Sequence, residues 1–216
     1  MGRRETKMAS SSEKRPRKAT ISTLFHAPTG GEGLRWLEQG DERQQGLAAS
    51  LHRSGLLERL AVYHPSIAGT FPIGIDIPGS DMDVLCEVYD HEEFLRICAS
   101  RYGHLDRFEA DRRSVGGEVR SVVRFLWEQI PIELFGQGRP PALQNGCRHM
   151  IAERRLLALD EPSAAESIRT LKQEGFKTEP AFAFFYNLPG NPYEVLYRLA
   201  EADEQELRQI ILKRQL

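Results

Sequence analysis

The sequence predicts an α/β (α+β) fold with a leading helix, an α/β core and a helical C-terminal half. Three observations predict it. First, Gly69-Thr70 follows the short apolar run Ser66 to Ala68, and ten residues later Asp81-Met82-Asp83 opens a second apolar run ending at Val88. Second, residues 105–113, 118–126 and 130–135 are rich in Val, Phe, Ile and Leu with short polar breaks, the pattern of strands. Third, beyond Pro140 the chain turns to longer segments with helical spacing.

The bulk properties bound the function. With 216 residues the chain can form one substantial domain, or one domain with a helical appendage. A formal net charge of -2 provides no global electrostatic case for nucleic acid. Cys86, Cys98 and Cys147 lack metal-site or disulfide spacing, which implies free thiols in a reducing, cytoplasmic compartment. No stretch approaches the roughly 18 uninterrupted apolar residues of a membrane span.

Residues 1–32 read as a disordered basic arm. The first 20 carry Arg3, Arg4, Lys7, Lys14, Arg15, Arg17 and Lys18 against Glu5 and Glu13, among serines and few apolar residues. Leu34 to Leu37 begins a helical segment that Gly40 interrupts. Asp41 is then a candidate N-cap for a longer helix, Glu42 to Leu60, although Gly46 and Gly55 weaken that pattern. His64-Pro65 stops any helix. Phe71 to Ser80, with two prolines and two glycines, reads as a constrained loop. Asp90 is a candidate N-cap for a helix His91 to Arg101, with Gly103 as its C′ residue. After the three strands, helices are expected at Ala142 to Leu159, Ser163 to Gln173, Glu179 to Tyr186, Tyr193 to Ala200 and Glu204 to Leu212. Ser163 and Glu166 have capping-box spacing in the second of these.

The chemistry resides in the carboxylates. Residues two apart on a strand share a face, so Asp81 and Asp83 are expected to project side by side. Close carboxylates repel unless a cation sits between them, and hard cations such as Mg2+ take oxygen ligands. Glu133 points away from Ile132 and Leu134, and a neighbouring strand could bring it beside the aspartates. The Gly69-Thr70 turn offers backbone N–H groups and a hydroxyl for phosphate oxygens. The plainer alternatives are solvated acids in a strand-entry turn for Asp81 and Asp83, and an edge-strand charge for Glu133. Asp76 either contacts substrate or forms an Asx turn. Arg148 and Arg155 either hold a triphosphate or sit on an exposed helix. Lys177, before a Thr-Glu-Pro helix start, either greets an anion or is an ordinary loop lysine. Tyr193 and the aromatic residues from Phe182 to Tyr186 read as packing.

Ala68-Gly69-Thr70, ten residues, then Asp81-Met82-Asp83-Val84, resembles the h-G-[GS]-x(9-13)-D-h-[DE]-h signature of the DNA polymerase beta-like nucleotidyltransferase superfamily. Glu133, in Ile130-Pro131-Ile132-Glu133-Leu134-Phe135, matches its third acid. More closely, the chain resembles a bacterial family of uncharacterised minimal nucleotidyltransferase-fold proteins. The matching words are Gly69 to Asp76, Gly79 to Asp83, Pro131 to Gly136, Arg148-His149-Met150 and Lys177 to Phe182, within a similarity spanning roughly Leu34 to Ala200. Thr70 departs from the superfamily's usual Ser or Gly, keeping the hydroxyl and adding a methyl.

The resemblance implies a minimal nucleotidyltransferase fold, a short mixed sheet flanked by helices. The composition and patterning divide the chain into an arm at 1–32, an α/β core with its leading helix at 33–139, and a helical region at 140–216 expected to pack on the core. The resemblance further implies that Asp81 and Asp83 bind two Mg2+ (or Mn2+) ions, and that Glu133 ligates the catalytic ion and helps deprotonate the acceptor. Gly69, Thr70 and Ser80 would cradle the triphosphate, and Arg148 and Lys177 are the basic candidates beside them. The implied reaction moves an NMP group from an NTP to a hydroxyl or amine of an acceptor that the sequence does not identify. The alternatives are a nucleotide-binding module without turnover, and an interaction protein that uses its helical half.

Overall fold

The computed structural model describes residues 31–214, so the N-terminal arm lies, but for Gly31 and Glu32, outside the described residues. The described residues form a mixed α/β structure around one five-stranded sheet of order β1-β2-β5-β4-β3. Its strands are β1 (Ser66–Ala68), β2 (Met82–Glu87), β3 (Glu109–Val115), β4 (Glu118–Trp127) and β5 (Ile130–Gln137). β2 and β5 run parallel, and the other neighbouring pairs are antiparallel. Ahead of β2 come the helices α1 (Glu32–Gln39), α2 (Glu42–Ser54) and α3 (Leu56–Arg59). α4 (His91–Tyr102) follows β2. The C-terminal half holds α5 (Asn145–Leu159), α6 (Ser163–Gln173), α7 (Thr178–Phe185), α8 (Pro192–Leu199) and α9 (Glu204–Arg214).

The two-residue period of the strands sorts the sheet into two faces. Met82, Val84 and Cys86 of β2, with Ile132 and Leu134 of β5, join Leu37, Leu51, Leu60, Phe94 and Tyr102 in one core beneath the N-terminal helices and α4. Leu85, from the opposite face, joins Met150, Ile168, Phe182, Leu196 and Leu207 in a second core built by α5 to α9. Asp83 and Glu133 belong by alternation to this second face.

Several boundaries differ from expectation, each for a local reason. The helix expected over Glu42 to Leu60 breaks at Gly55, which adopts φ 62° and separates α2 from α3. The strand expected from residue 105 begins at Glu109. Ala142 opens no long helix: a 3-10 turn, Pro141–Leu143, precedes α5. The Ser163/Glu166 capping box is not formed. Ser163 already lies inside α6, Pro162 occupies the N-cap, and Glu166 pairs with Arg169 instead. Gly103 ends α4 with a right-handed φ of -61°, not as a left-handed C′ residue.

The loop between β1 and β2 is fastened from both sides. Asp41 and Gln44 exchange the reciprocal bonds of a capping box at the start of α2. The Gln44 amide nitrogen then donates to the carbonyls of Phe71 (2.8 Å) and Pro72 (3.2 Å). From α6, Arg169 donates to the Gly74 carbonyl (2.6 Å) and Lys172 to that of Ile75 (2.9 Å). Asp76 is neither an Asx turn nor open to substrate. Its carboxylate takes a two-pronged bond from Arg43 (2.5 and 2.6 Å), and its side chain is 5% exposed. Removing Arg43 therefore strands a buried charge. Arg43→Ala is expected to cost about 1–3 kcal/mol in urea unfolding, and Arg43→Ala/Asp76→Asn less than the single change.

Candidate functional site

The site forms where β2 and β5 run side by side. Their register pairs Asp83 with Glu133 directly, so the two carboxylates leave neighbouring strands from one face. Both are half-buried and both line one cavity of about 170 Å³. On the other flank, Ala68 of β1 pairs with Asp83, and the chain then turns at Gly69 with φ 79°. The turn lies so close to Asp83 that a Cβ at position 69 would overlap the carboxylate. Glycine is thus required twice here, by conformation and by space. Thr70 is half-buried, and its carbonyl accepts from the Ile75 N–H (3.2 Å).

Asp81 does not share the strand as expected. β2 begins at Met82, and Asp81 sits exposed just before it. It remains near enough for its charge to act on Asp83. Burial is the main cause pushing the Asp83 carboxyl up to about 7. The charges of Glu133, Asp81 and Glu179 add to this, while Lys172 opposes it. Glu133 is tied to Arg124, its cross-strand neighbour on β4, at 2.5 Å. Ser80 uses its hydroxyl inside the loop, accepting from the Ile77 N–H (2.9 Å). Lys177 is exposed at the N-cap of α7, and its charge helps hold the Glu179 carboxyl down.

Arg148 requires correction. It is 5% exposed and works within the fold. Its guanidinium donates to the Tyr197 carbonyl, lies 4.2 Å over the Tyr197 ring and pairs with Glu201 at 2.9 Å, which binds α5 to α8 and its C-terminal end. Arg155 likewise donates to the carbonyls of Leu199, Ala200 and Ala202. The face expected to be exposed is packed inside the helical half. Phe182 and Tyr186 pack as expected, but Phe184 is 66% exposed.

Three charged residues near Asp83 escaped sequence reasoning: Glu153, Lys172 and Glu179. Glu153 is buried on α5, its carboxyl raised well above the usual range by burial and by Glu179 and Asp83, and its Oε1 has no partner. Lys172 is buried on α6, and burial lowers its pKa. The only signal was a charge on the apolar side of a helix. Burial pushes Glu179 upward, but hydrogen bonds from His149 and its own backbone, with the His149 and Lys177 charges, outweigh it and leave Glu179 below the usual carboxylate range. A carboxylate held low in the fold stabilises above its unfolded value of 4.5, and that contribution is lost as pH falls through the folded value. Below pH 4.5 the urea midpoint should therefore fall more steeply in the wild type than in Glu179→Gln.

Among the described residues, no three His, Cys, Asp or Glu side chains gather closely enough to hold a metal ion alone. The donor set still suits a hard cation. Asp83 and Glu133 are crowded oxygen donors, and Mg2+ is usually held by one or two carboxylates together with substrate phosphates and waters. No helix among the described residues is long and apolar enough to cross a membrane.

The family model described as "Domain of unknown function (DUF4269)" matches residues 49–199, more than half of the chain, which therefore belongs to that family. No curated protein matches. Among solved structures, the chain is similar to Cid1, described as an RNA terminal uridylyl transferase, at 13% identity and a TM-score of 0.44. That match covers 69% of this chain and 48% of Cid1, so the chain spans about half of that protein's length. A second likeness is to the polymerase core of TRAMP, described as an RNA surveillance complex. It has 12% identity and a TM-score of 0.45, covering 90% of this chain and 67% of the other. A third is to the non-canonical poly(A) polymerase complex GLD-2–GLD-3, at 11% identity and a TM-score of 0.46, covering 89% and 68%.

Proposed function

We propose that this DUF4269 protein is a nucleotidyltransferase that moves an NMP group from an NTP to a hydroxyl or amine acceptor, with Mg2+ or Mn2+ bound at Asp83 and Glu133. The observation that carries this reading is the direct pairing of Asp83 with Glu133 in parallel register, with the Gly69 turn pressed against the Asp83 carboxylate. It agrees with the sequence resemblance of Gly69-Thr70 and Asp81-Met82-Asp83 to the superfamily signature.

The bound cation would neutralise phosphate oxygens and draw charge from the reacting phosphorus. The chain's own residues do the rest. Gly69, lacking a side chain, leaves room for the Asp83 carboxylate under the turn, and the Thr70 hydroxyl and turn N–H groups donate to phosphate oxygens. Lys177, exposed at the start of α7, balances the charge of the pyrophosphate end. Asp81 adds negative charge at the rim and would help hold a second ion. Ser80 acts by holding the loop turn that leads into Asp81. Glu133, oriented by Arg124, takes the acceptor proton as the acceptor oxygen or nitrogen bonds to Pα and the Pα–O bond to pyrophosphate breaks.

The exposure of Asp81 and the tie between Glu133 and Arg124 favour one second reading, a module that binds nucleotide without turnover. Incubation with each labelled NTP, Mg2+ and a broad extract of acceptors separates the two. Labelled product and pyrophosphate support transfer. Nucleotide binding without product supports the module, and neither binding nor product refutes both.

A further inference from the structure

The cavity beside Asp83 and Glu133 extends away from the Gly69 turn, along β5 toward β4. Its floor is apolar, formed by Leu85 and Phe135. At its far end stands Arg120, which pairs with Gln137 across the β4–β5 ladder, four residues along β5 from Glu133. At about 3.3 Å per residue, the carboxylate end and the arginine end lie roughly 13 Å apart along the strand.

Arg120 is under-used. Its ion pair with Glu118 is long, at 3.5 Å, and Glu118 is already engaged by Arg139 and Gln137. Its Nε is buried without a hydrogen-bond partner. An arginine presents five donors in a rigid fork, and the partly exposed Arg120 side chain leaves its outer nitrogens within reach of an anion. The opposite wall is the first turn of α5, at Asn145 and Gly146, which carries no acidic residue and no side-chain cap. Both walls favour an oxyanion. At about 170 Å³ the cavity lies below the roughly 300–1,000 Å³ of pockets for drug-sized ligands, which favours a small acceptor.

Resting on the nucleotidyl-transfer reading, we propose that this cavity is the acceptor subsite. It takes a small phosphomonoester that carries a free hydroxyl. The phosphate sits against Arg120 and the start of α5, the carbon frame lies on Leu85 and Phe135, and the hydroxyl reaches Asp83 and Glu133. In the transfer, the acceptor oxygen bonds to Pα of the NTP, its proton passes to Glu133, and pyrophosphate departs. The acceptor phosphate does not react.

The test is calorimetric titration of the full chain with ribose 5-phosphate, ribose, gluconate and a short oligoribonucleotide. Magnesium-NTP binding is measured separately on the same preparations. Ribose 5-phosphate should bind at least about tenfold more tightly than ribose or gluconate. Arg120→Ala should weaken it by about tenfold or more. Asn145→Asp supplies a second variant: an acid in the first turn suits α5 but repels an anion in the cavity, so ribose 5-phosphate binding should fall while the melting temperature holds. Equal binding of ribose or gluconate, tighter binding of the oligoribonucleotide, or indifference to both substitutions overturns the proposal. Failure here with intact magnesium-NTP binding leaves the nucleotidyl-transfer reading standing, and loss of magnesium-NTP binding refutes that reading instead.

Discussion

Asp83→Asn should abolish magnesium-dependent NTP binding and reduce any transfer by at least about a hundredfold, yet stabilise the metal-free protein. Both effects have one cause. Asp83 is half-buried on a strand beside Glu133, with Asp81 and Glu179 close enough to act on it. Burial and these like charges push its carboxyl from 3.8 up to about 7. That shift means the ionised form is disfavoured in the empty fold. Asparagine keeps the shape and removes the charge. After discounting for partial exposure, the gain is on the order of 1–2 kcal/mol at pH 8. The melting temperature of the variant without metal should exceed that of the wild type, and adding Mg2+ with NTP should reverse the order. A variant that lost binding and stability together would point to a structural aspartate.

Gly69→Ala should damage the fold and the site together. At φ 79° an alanine is strained, costing about 1–3 kcal/mol. The added Cβ also overlaps the Asp83 carboxylate, so the side chain or the turn has to move. We expect a lower urea midpoint and loss of NTP binding. Gly79→Ala makes a fair control: it also has positive φ (90°) but open space around it. It should share the strain and keep binding. Equal NTP affinity in Gly69→Ala and the wild type would sever the turn from the site.

The strand half of this protein was legible because its chemistry is local. Val84 to Val88 and Ile132 to Phe135 alternate or run apolar over short spans, and the acids sit at definite points in that alternation. Glu133 could be assigned to the face opposite Ile132 and Leu134 from the two-residue period alone. Asp81 escaped because a strand's first residue depends on which partner backbone is present, and β1 reaches only to Ala68, opposite Asp83. Asp76 and Arg148 escaped for a different reason. Both looked available for ligand, and both are consumed by partners far along the chain, 33 and 53 residues away. Glu153 and Lys172 show the reverse error: nothing in their local sequence announces that α5 and α6 bury them behind Asp83. Long-range packing decides which charges remain free, and a single sequence carries no direct record of it.

The central claim is that Asp83 and Glu133, from two parallel neighbouring strands, act as one cation-binding unit beneath a triphosphate. Titrating Mn2+ into protein saturated with a non-hydrolysable NTP, in the wild type, Asp83→Asn, Glu133→Gln and the double variant, measures that directly. The account predicts tight Mn2+ binding in the wild type and its loss in either single variant, with no further loss in the double. Wild-type Mn2+ affinity in Glu133→Gln would contradict it.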